Sequence, residues 1–359
     1  MFIHPVLRTL AVGLPIALSA CGGGQDDTVL LNGAGATFPN IIYQKWITDY
    51  NSASPGVELN YQSIGSGGGI QQYTDGTVDF GASDAPMTEA EMAKVDGNVL
   101  HIPMVLGAVV PTYNLAEVTE TVRFTPEALA GIFLGEITRW DDVRLRSANP
   151  GVPLPDKEIV VVHRSDGSGT TYIWTEFLST VSPDWTAKVG RGKSVNWPVG
   201  IGGRGNEGVS ATVQQTPGAI GYVELGYAMI NNMAVGAVKN RDGYFVTPDL
   251  SAVSDAAAGA AAALGPDTDF RISLINAPGE RTYPIASFTW LLVRKHYGDD
   301  AAKARALVEF IWWALTQGQQ SAQALGYAPL PQSIMPLIEA HLLQVSAGSG
   351  PVWSGRSGD

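Results

Sequence analysis

Three short turns combine glycine with serine or threonine, and each lies between a strand-like segment and a predicted helix: Gly33–Phe38, Gly65–Gly69 and Asp166–Thr170. Glycine lets the backbone bend so that its N–H groups point outward, and a hydroxyl adds a donor and caps the helix. A helix N-terminus carries unpaired N–H groups and a partial positive charge. Capping explains any one of these turns. Three of them in one chain, one beginning two residues after Arg164, favour a shared oxyanion site.

Other chemistry-bearing patterns are weaker. Residues 200–205 satisfy the spacing GxGxxG but follow Trp197-Pro198 rather than a clear strand, so they are predicted to form a loop. Gly192-Lys193-Ser194 resembles half of a P-loop, but the required earlier glycine is Ala187. The histidines show no metal-ligand spacing: His4, His101, His163, His296 and His341.

Ser168 raises the question of nucleophilic catalysis. Position 166 is Asp, so the G-x-S-x-G elbow of many serine hydrolases is absent. His163 adjoins Arg164 on a predicted strand and should point to the opposite face, which favours a packed histidine over a general base. An extracytoplasmic phosphomonoesterase or serine hydrolase using Ser168 and His163 remains the alternative from another functional class.

The elements that would hold the turns alternate along the chain. Apolar strand-like segments precede each turn, and helical spacing follows, for example at Ile42, Trp46 and Tyr50. This alternation predicts an α/β protein with mostly parallel sheets, in which ligands sit at the carboxyl ends of strands. The long apolar segment Ile102–Val110 could cross between two domains.

Composition sets the outer limits. The chain has 359 residues, 22 Lys+Arg against 34 Asp+Glu, a net charge of -12, 45% hydrophobic residues and one cysteine. The length suggests about two domains. The negative charge disfavours nucleic acid and anionic membranes as partners, and a single cysteine excludes an internal disulfide framework.

The N-terminus reads as an export signal. Arg8 precedes a short apolar stretch, and Leu18-Ser19-Ala20-Cys21-Gly22 resembles a bacterial lipobox. Residues 1–20 are therefore predicted to be a lipoprotein signal peptide, Cys21 the lipidation site and residues 21–27 a flexible tether. An ordinary signal peptide with an incidental cysteine is the alternative.

The same turns carry a family resemblance. The sequence resembles the phosphate-binding proteins of bacterial phosphate-specific ABC transporters from about Leu30 to about Leu330. The matching segments are 33–39, 64–66, 78–86, Arg164 with 166–170, 197–198, Gly208 and 217–224. The resemblance implies a two-domain, periplasmic-binding-protein-like (type II) α/β fold with the ligand in the interdomain cleft, and it implies no cofactor and no metal.

The resemblance also implies roles for particular positions. Arg164 would donate two guanidinium hydrogen bonds to the ligand, Asp84 would accept a hydrogen bond from it, and Asp166 would hold Arg164 in place. N–H and hydroxyl donors would come from Thr37, Phe38, Ser66, Ser168, Gly169 and Thr170.

The role of Asp84 has a physical argument of its own. Phosphate keeps at least one proton at neutral pH and can donate it to a carboxylate, whereas sulfate has none to give. Facing a carboxylate, sulfate would leave buried acceptors unpaired, at a cost of about 1–3 kcal/mol or more. The bare sequence favours a simpler role for Asp84, as a cap of the turn before Pro86, but the resemblance reverses this preference, and Asp84 is predicted to select against sulfate.

The complete prediction is a solute-binding lipoprotein, not an enzyme. Residues 28–106 and 286–345 would form domain 1, the inserted residues 107–285 domain 2, and residues 346–359 a flexible tail, with hinge strands near Leu106 and Ile285. It would bind inorganic phosphate outside the cytoplasmic membrane, in the periplasm or at the cell surface, as a monomer, and deliver it to the permease subunits of an ABC transporter. Another tetrahedral oxyanion is the alternative ligand.

Overall fold

The computed structural model describes residues 1–2, 28–262 and 264–355. The predicted lipobox with Cys21, the tether and all but two residues of the predicted signal peptide lie outside this part. The strands are β1 Val29–Gly35, β2 Val57–Ser63, β3 Phe80–Ser83, β4 Leu100–Tyr113, β5 Arg123–Phe124, β6 Val160–Arg164, β7 Ile201–Gly203, β8 Ala219–Glu224, β9 Ala234–Val235, β10 Ala237–Lys239, β11 Phe245–Val246, β12 Ala286–Val293, β13 Ser346–Ala347 and β14 Gly350–Pro351.

Helices follow most of the strands, as the alternating pattern predicts. They are α1 Asn40–Ala53, α2 Ser66–Thr74, α3 Glu89–Ala93, α4 Pro126–Phe133, α5 Val143–Ala148, α6 Gly169–Val181, α7 Pro183–Lys188, α8 Gly205–Gln215, α9 Leu225–Ile230, α10 Leu250–Ala261, α11 Ala301–Thr316 and α12 Met335–Leu342. No helix in the described ranges is both long and apolar enough to cross a bilayer.

One sheet runs through the molecule in the order β2-β1-β3-β12-β4-β8-β6-β7, with β9 also paired to β4. We refer to its first four strands as the first half of the sheet and to β8, β6 and β7 as the second half. Within the first half β1 pairs in parallel with β2 and β3, and within the second half β6 pairs in parallel with β7 and β8. Parallel strands end at the same edge, so each half collects its strand-to-helix turns there.

Strand β4 lies between the two halves of the sheet and pairs with both. It pairs antiparallel with β12 from Leu100 to Ala108 and antiparallel with β8 from Val109 to Tyr113. All fourteen of its residues are buried, which explains its continuous apolar sequence. The antiparallel pairing of β4 with β12 and β8, and of β12 with β3, differs from the mostly parallel sheet that was predicted.

Large aromatic side chains fill the core of each half. Tyr50 of α1 meets Phe310 of α11 edge to face at 5.3 Å in the first half, whereas Trp174 of α6 stacks on Tyr222 of β8 at 5.1 Å in the second. Full burial of such a side chain contributes about 1.5–3 kcal/mol. The helices are thereby fixed on the sheet, and their first residues are held at its edge.

Two short segments depart from the sequence prediction. Residues 346–355 belong to the predicted flexible tail, but β13 and β14 pair antiparallel, and Trp353 packs against Trp312 at 5.3 Å. The GxGxxG segment, predicted to be a loop, contains β7 and leads directly into α8, because its backbone pairs with β6 from Ile201 to Gly203.

Candidate functional site

The second and third predicted turns are in direct contact. The N–H of Gly67 donates to the carbonyl of Gly167 at 2.8 Å. A Cβ atom on Gly169 would collide with the Ser66 hydroxyl and the Asp84 carboxylate, so only glycine allows this approach. The turns after β2 and β6 therefore meet across the two halves of the sheet, with Asp84 beside them.

Asp84 follows β3 directly and is 1% exposed. Its Oδ1 accepts a hydrogen bond from Thr289 Oγ1 at 2.8 Å, and its Oδ2 lies 3.4 Å from Ser66 Oγ. Burial raises the pKa of the Asp84 carboxyl to about 7. The hydrogen bond from Thr289, the charge of Arg164 and the hydrogen bond from Ser66 act in the opposite direction. Asp84 is thus an almost completely desolvated acceptor.

Ser66 is the first residue of α2 and is fully buried. Gly65, just before it, has φ +89°, which redirects the chain from β2 into the helix. The Ser66 hydroxyl also accepts the N–H of Asp84 at 3.1 Å. This contact fixes the second turn against the end of β3.

Arg164 ends β6, and its side chain is only 1% exposed. Its Nε donates to Asp166 Oδ1 at 2.8 Å and its Nη2 to Asp166 Oδ2. A guanidinium has five N–H groups. The Asp166 contacts use two, and Nη1 lies 3.4 Å from Thr170 Oγ1. The terminal edge formed by Nη1 and Nη2 keeps two N–H groups, which is the bidentate arrangement suited to an oxyanion.

Asp166 holds this arginine and a further turn at once. Its Oδ1 accepts the N–H of Gly205, the first residue of α8, at 3.0 Å. Burial alone would raise the pKa of the Asp166 carboxyl, but the Arg164 guanidinium and the Gly205 N–H hold it below its ordinary value. Asp166 is therefore ionised and lies against Arg164, at the position for which the resemblance implies a holding role.

Helix α6 begins in the third turn. Ser168 caps it, since its Oγ accepts the N–H of Thr171 at 3.0 Å. One part of the prediction is wrong here: the backbone N–H of Ser168 donates to the carbonyl of Lys193 at 2.8 Å and is not available to a ligand. The Ser168 hydroxyl hydrogen and the N–H groups of Gly169 and Thr170 face no such competition.

The first turn holds Thr37 and Phe38 between β1 and α1. Both side chains are buried, and Phe38 packs on Tyr327 with its ring centre 6.4 Å away. The carbonyls of both residues are occupied, by the Tyr227 and Tyr327 hydroxyls respectively, each at 2.7 Å. Their backbone N–H groups are left as the free polar atoms of this turn.

One property unites the predicted donors. Within the described part of the chain, the backbone N–H groups of these predicted donors have no hydrogen-bond acceptor, except that of Ser168: they are the N–H groups of Thr37, Phe38, Ser66, Gly169 and Thr170. Buried backbone N–H groups are almost always paired. Five unpaired donors on three touching turns, with the free edge of Arg164 beside them, form a cradle for an anion.

Asn206, in the first turn of α8, is a site residue that was not predicted from the sequence. It is fully buried, and its Nδ2 lies 2.8 Å from Thr37 Oγ1 and 3.2 Å from Thr170 Oγ1. Its Oδ1 accepts the N–H of Glu224 at 3.1 Å. The signal was present in the GxGxxG segment, which supplies a fourth strand-to-helix turn.

Thr289 of β12 is a second unpredicted site residue, because nothing in its local sequence marks it. Its hydroxyl is fully buried and reaches Asp84 from the neighbouring strand. The acceptor is therefore held from two sides, by Thr289 on β12 and by Ser66 on α2.

The histidine beside Arg164 is packed. The His163 ring stacks on Trp197 at 4.8 Å, and its Nδ1 contacts the Arg164 carbonyl at 3.0 Å. Among the described residues there is no cluster of three or more potential metal ligands.

Of two cavities in the described structure, one lies away from the predicted site residues and one adjoins Asp84. A cavity of about 620 Å³ is lined by residues of α3, the start of β4 and α12, and contains none of the predicted site residues. A cavity of about 200 Å³ adjoins Asp84 and is lined on its far side by Tyr172, Glu176 and Arg191. The binding turns therefore border the smaller cavity at Asp84.

Comparison with known proteins identifies the family of the chain. A family model described as a PBP superfamily domain matches residues 22–316. The phosphate-binding protein PstS of Xylella fastidiosa (strain 9a5c) is 46% identical over 318 residues, which is 88% of this chain and 86% of that protein. The chain belongs to the PstS family of phosphate-binding proteins. The PstS protein of Methanocaldococcus jannaschii is 39% identical over 349 residues, covering 89% of each chain.

Solved structures establish the fold of this PstS family member. A high-affinity periplasmic phosphate-binding protein (PfluDING) with bound phosphate superimposes with a TM-score of 0.70 at 21% identity, covering 86% of this chain and 93% of that one. An ABC-type phosphate transport receptor from Vibrio cholerae gives a TM-score of 0.56 at 18% identity, covering 84% and 100%. The predicted periplasmic-binding-protein-like α/β fold is confirmed.

Proposed function

We propose that this chain binds inorganic phosphate outside the cytoplasmic membrane and delivers it to the permease of an ABC transporter for high-affinity import. The observation that carries the proposal is the pairing of one buried acceptor, Asp84, with five unpaired backbone N–H donors and the free edge of Arg164. A fully deprotonated anion would satisfy the donors and repel the carboxylate. An anion that keeps a proton satisfies both.

The proposed ligand shell consists of Thr37, Phe38, Ser66, Asp84, Arg164, Ser168, Gly169 and Thr170. The phosphate oxygens accept from the backbone N–H groups, from the hydroxyls of Thr37, Ser66, Ser168 and Thr170, and from Arg164. The P–OH donates to the Asp84 carboxylate. Asp166 stays out of contact and holds the guanidinium in place. Charge-assisted hydrogen bonds of this kind are strong in a desolvated site.

The proposed domain division follows the sheet. Residues 28–106 with 286–345 would move as one domain and residues 107–285 as the other, hinged near Leu106 and Ile285. The support is the partner exchange of β4, which leaves β12 at Ala108 and joins β8 at Val109. Closure brings the donor turns of both domains onto one ligand.

No covalent step is part of the proposal. A hydrolase would need a base on Ser168, but its Oγ is the cap of α6, and His163 is stacked on Trp197. Both residues are thereby engaged in other contacts. Solute binding by a monomer, with release to the permease, requires no nucleophile.

The proposed location is extracytoplasmic, with the mature chain anchored through a lipid on Cys21. The sequence of the lipobox, Leu18-Ser19-Ala20-Cys21-Gly22, and the glycine-rich residues after it support this. A single lipid-bearing residue followed by a flexible segment would leave the binding domains free to turn toward a permease.

Isothermal titration of the purified protein with phosphate and with sulfate tests the proposal. Saturable phosphate binding with one site and much weaker sulfate binding is expected. Comparable affinities for the two anions would refute the role of Asp84, and turnover of a phosphoester that disappears in Ser168→Ala would favour the hydrolase.

A further inference from the structure

An ion pair outside the donor cradle joins the two halves of the molecule. Nζ of Lys193 lies 2.6 Å from Oε1 of Glu91. Their side chains are 20% and 23% exposed, so solvent and salt screen the pair less than a fully exposed one. Glu91 belongs to α3, which packs beside the first half of the sheet, whereas Lys193 lies in the loop between α7 and β7 of the second half.

Lys193 is tied to the third turn through its own backbone. Its carbonyl accepts the N–H of Ser168 at 2.8 Å, and Ser168 caps α6. Any displacement of this turn therefore displaces Lys193. The segment Gly192-Lys193-Ser194, which is not part of a P-loop, therefore contacts the third turn of the site.

Glu91 is held just as firmly. Its Oε2 accepts the N–H of Thr88 at 2.9 Å and the Thr88 hydroxyl at 3.1 Å, which completes the capping box of α3. This leaves Oε1 for Lys193. Thr88 lies four residues after Asp84, so the carboxylate is anchored to the segment that carries the buried acceptor.

We propose that the Lys193–Glu91 ion pair is a latch that stabilises the closed cleft and slows the release of the bound anion. This inference rests on the proposed function of the site. Some other contacts between the halves, such as Asn206 with Thr37 or Gly67 with Gly167, involve the binding turns themselves. A second ion pair, between Arg271 of the segment 107–285 and Glu89 at 2.9 Å, reaches the same helix α3. The Lys193–Glu91 pair touches no ligand donor side chain, so it can control the lifetime of closure without altering the contacts of the ligand.

Phosphate release provides the test. The protein is loaded with phosphate, and release is followed in a stopped-flow instrument with an excess of a fluorescent phosphate sensor. The variants are Lys193→Met, which removes the ammonium, and Glu91→Gln, which removes the charge but can keep the cap on Thr88. Lys157→Met is the matched control, because the Lys157–Glu117 pair, at 2.7 Å, lies within residues 107–285.

Each latch variant is expected to release phosphate about three- to five-fold faster with little change in the association rate. The double variant is expected to resemble either single variant, because the two charges act as one interaction. Unchanged release rates, effects equal to that of Lys157→Met, or strictly additive effects would overturn the latch.

Small-angle scattering of the ligand-free proteins separates this inference from the proposed function. The latch variants are expected to have a larger radius of gyration than wild type and Lys157→Met. If wild type fails to bind phosphate, the proposed function is wrong, and the scattering result alone decides the latch. Equal radii for all four proteins would then refute it.

Discussion

The side-chain amide of Asn206 donates to the hydroxyl oxygen of Thr37 at 2.8 Å, and the backbone N–H of Asn206 approaches the same oxygen at 3.3 Å. Both lone pairs of the Thr37 hydroxyl are thereby engaged, so its hydrogen must point away from Asn206. Asn206 thus converts an ambivalent hydroxyl into a donor, and its amide also donates to the Thr170 hydroxyl oxygen at 3.2 Å.

Asn206→Ala should therefore weaken phosphate binding by about 10- to 100-fold, because two site hydroxyls lose their fixed orientation and the buried N–H of Glu224 loses its acceptor. Calorimetry measures the effect. Ser210→Ala is the matched control, since Ser210 is buried in the same helix and its hydroxyl has no hydrogen-bond partner in the described structure. Equal affinities for the two variants would rule out this role.

Asp84→Asn should reduce discrimination more than affinity. The amide can still accept from Thr289 and can also donate to an anion oxygen, so sulfate should gain affinity while phosphate loses some. We expect the phosphate-to-sulfate affinity ratio to fall by about tenfold or more. Asp79→Asn serves as a control, because the Asp79 carboxylate accepts the backbone N–H of Asn32 and pairs with Lys303 away from the donor cradle. A preserved ratio in Asp84→Asn would contradict the selectivity argument.

Selectivity should also depend on pH. Burial raises the pKa of Asp84 to about 7, so the ligand-free carboxyl takes up a proton as the pH falls through that value. A protonated carboxyl donates, and sulfate competition should therefore increase between about pH 8 and about pH 6 in wild type. In Asp84→Asn the sulfate affinity should stay flat over the same range, and a parallel rise there would assign the effect to another group.

The same shift affects stability. Because the folded state binds this proton more tightly than the unfolded state, the Asp84 contribution to stability is favourable at low pH and is lost as the pH rises through about 7. One pKa unit corresponds to about 1.4 kcal/mol. The thermal midpoint of ligand-free Asp84→Asn should exceed that of wild type above pH 7, and this advantage should shrink in acid.

Arg164→Lys should weaken phosphate binding by about 10- to 100-fold. An ammonium cannot hold both Asp166 oxygens and still offer two parallel donors to the ligand. Arg144→Lys is a suitable control, because Arg144 also donates hydrogen bonds to an aspartate, Asp142, through its Nε and Nη2 atoms, but on an exposed surface. Titration calorimetry on both variants gives the comparison. A loss no greater than that of the control would remove Arg164 from the ligand shell.

Cys21→Ser should release the protein from membranes. Lipidation requires the thiol, so the wild-type chain expressed in a bacterium should fractionate with membranes and carry the added mass of acyl chains, whereas the variant should be recovered without them. Phosphate affinity should be unchanged. Membrane recovery of both forms would mean that the cysteine is incidental.

Short sequence patterns identified site residues that lie within a strand-to-helix turn. Glycine and hydroxyl residues between a strand and a helix marked Thr37, Ser66 and Ser168, whereas the role of Asp166 as the partner of Arg164 was implied only by the family resemblance. The GxGxxG segment marked the turn that carries Asn206 but not its contact with Thr37, and no local pattern marked Thr289, because these contacts join residues 169 and 205 positions apart. The Ser168 N–H was wrongly predicted to bind the ligand for the same reason, since its acceptor is the carbonyl of Lys193, which follows α6 and α7 in the chain.

Strand β12 lies between β3 and β4 in the sheet, although it follows β4 by more than 170 residues in the chain. The sheet of the first half therefore stays open until residues 286–293 have been made. Asp84 likewise has no hydrogen bond from Thr289 before then. A ribosome-bound or partly exported chain can form the inserted segment early, but it gains its anion site only near the end of synthesis. Such long-range pairing is intrinsically slow, so binding should begin only after the chain as far as residue 293 is present.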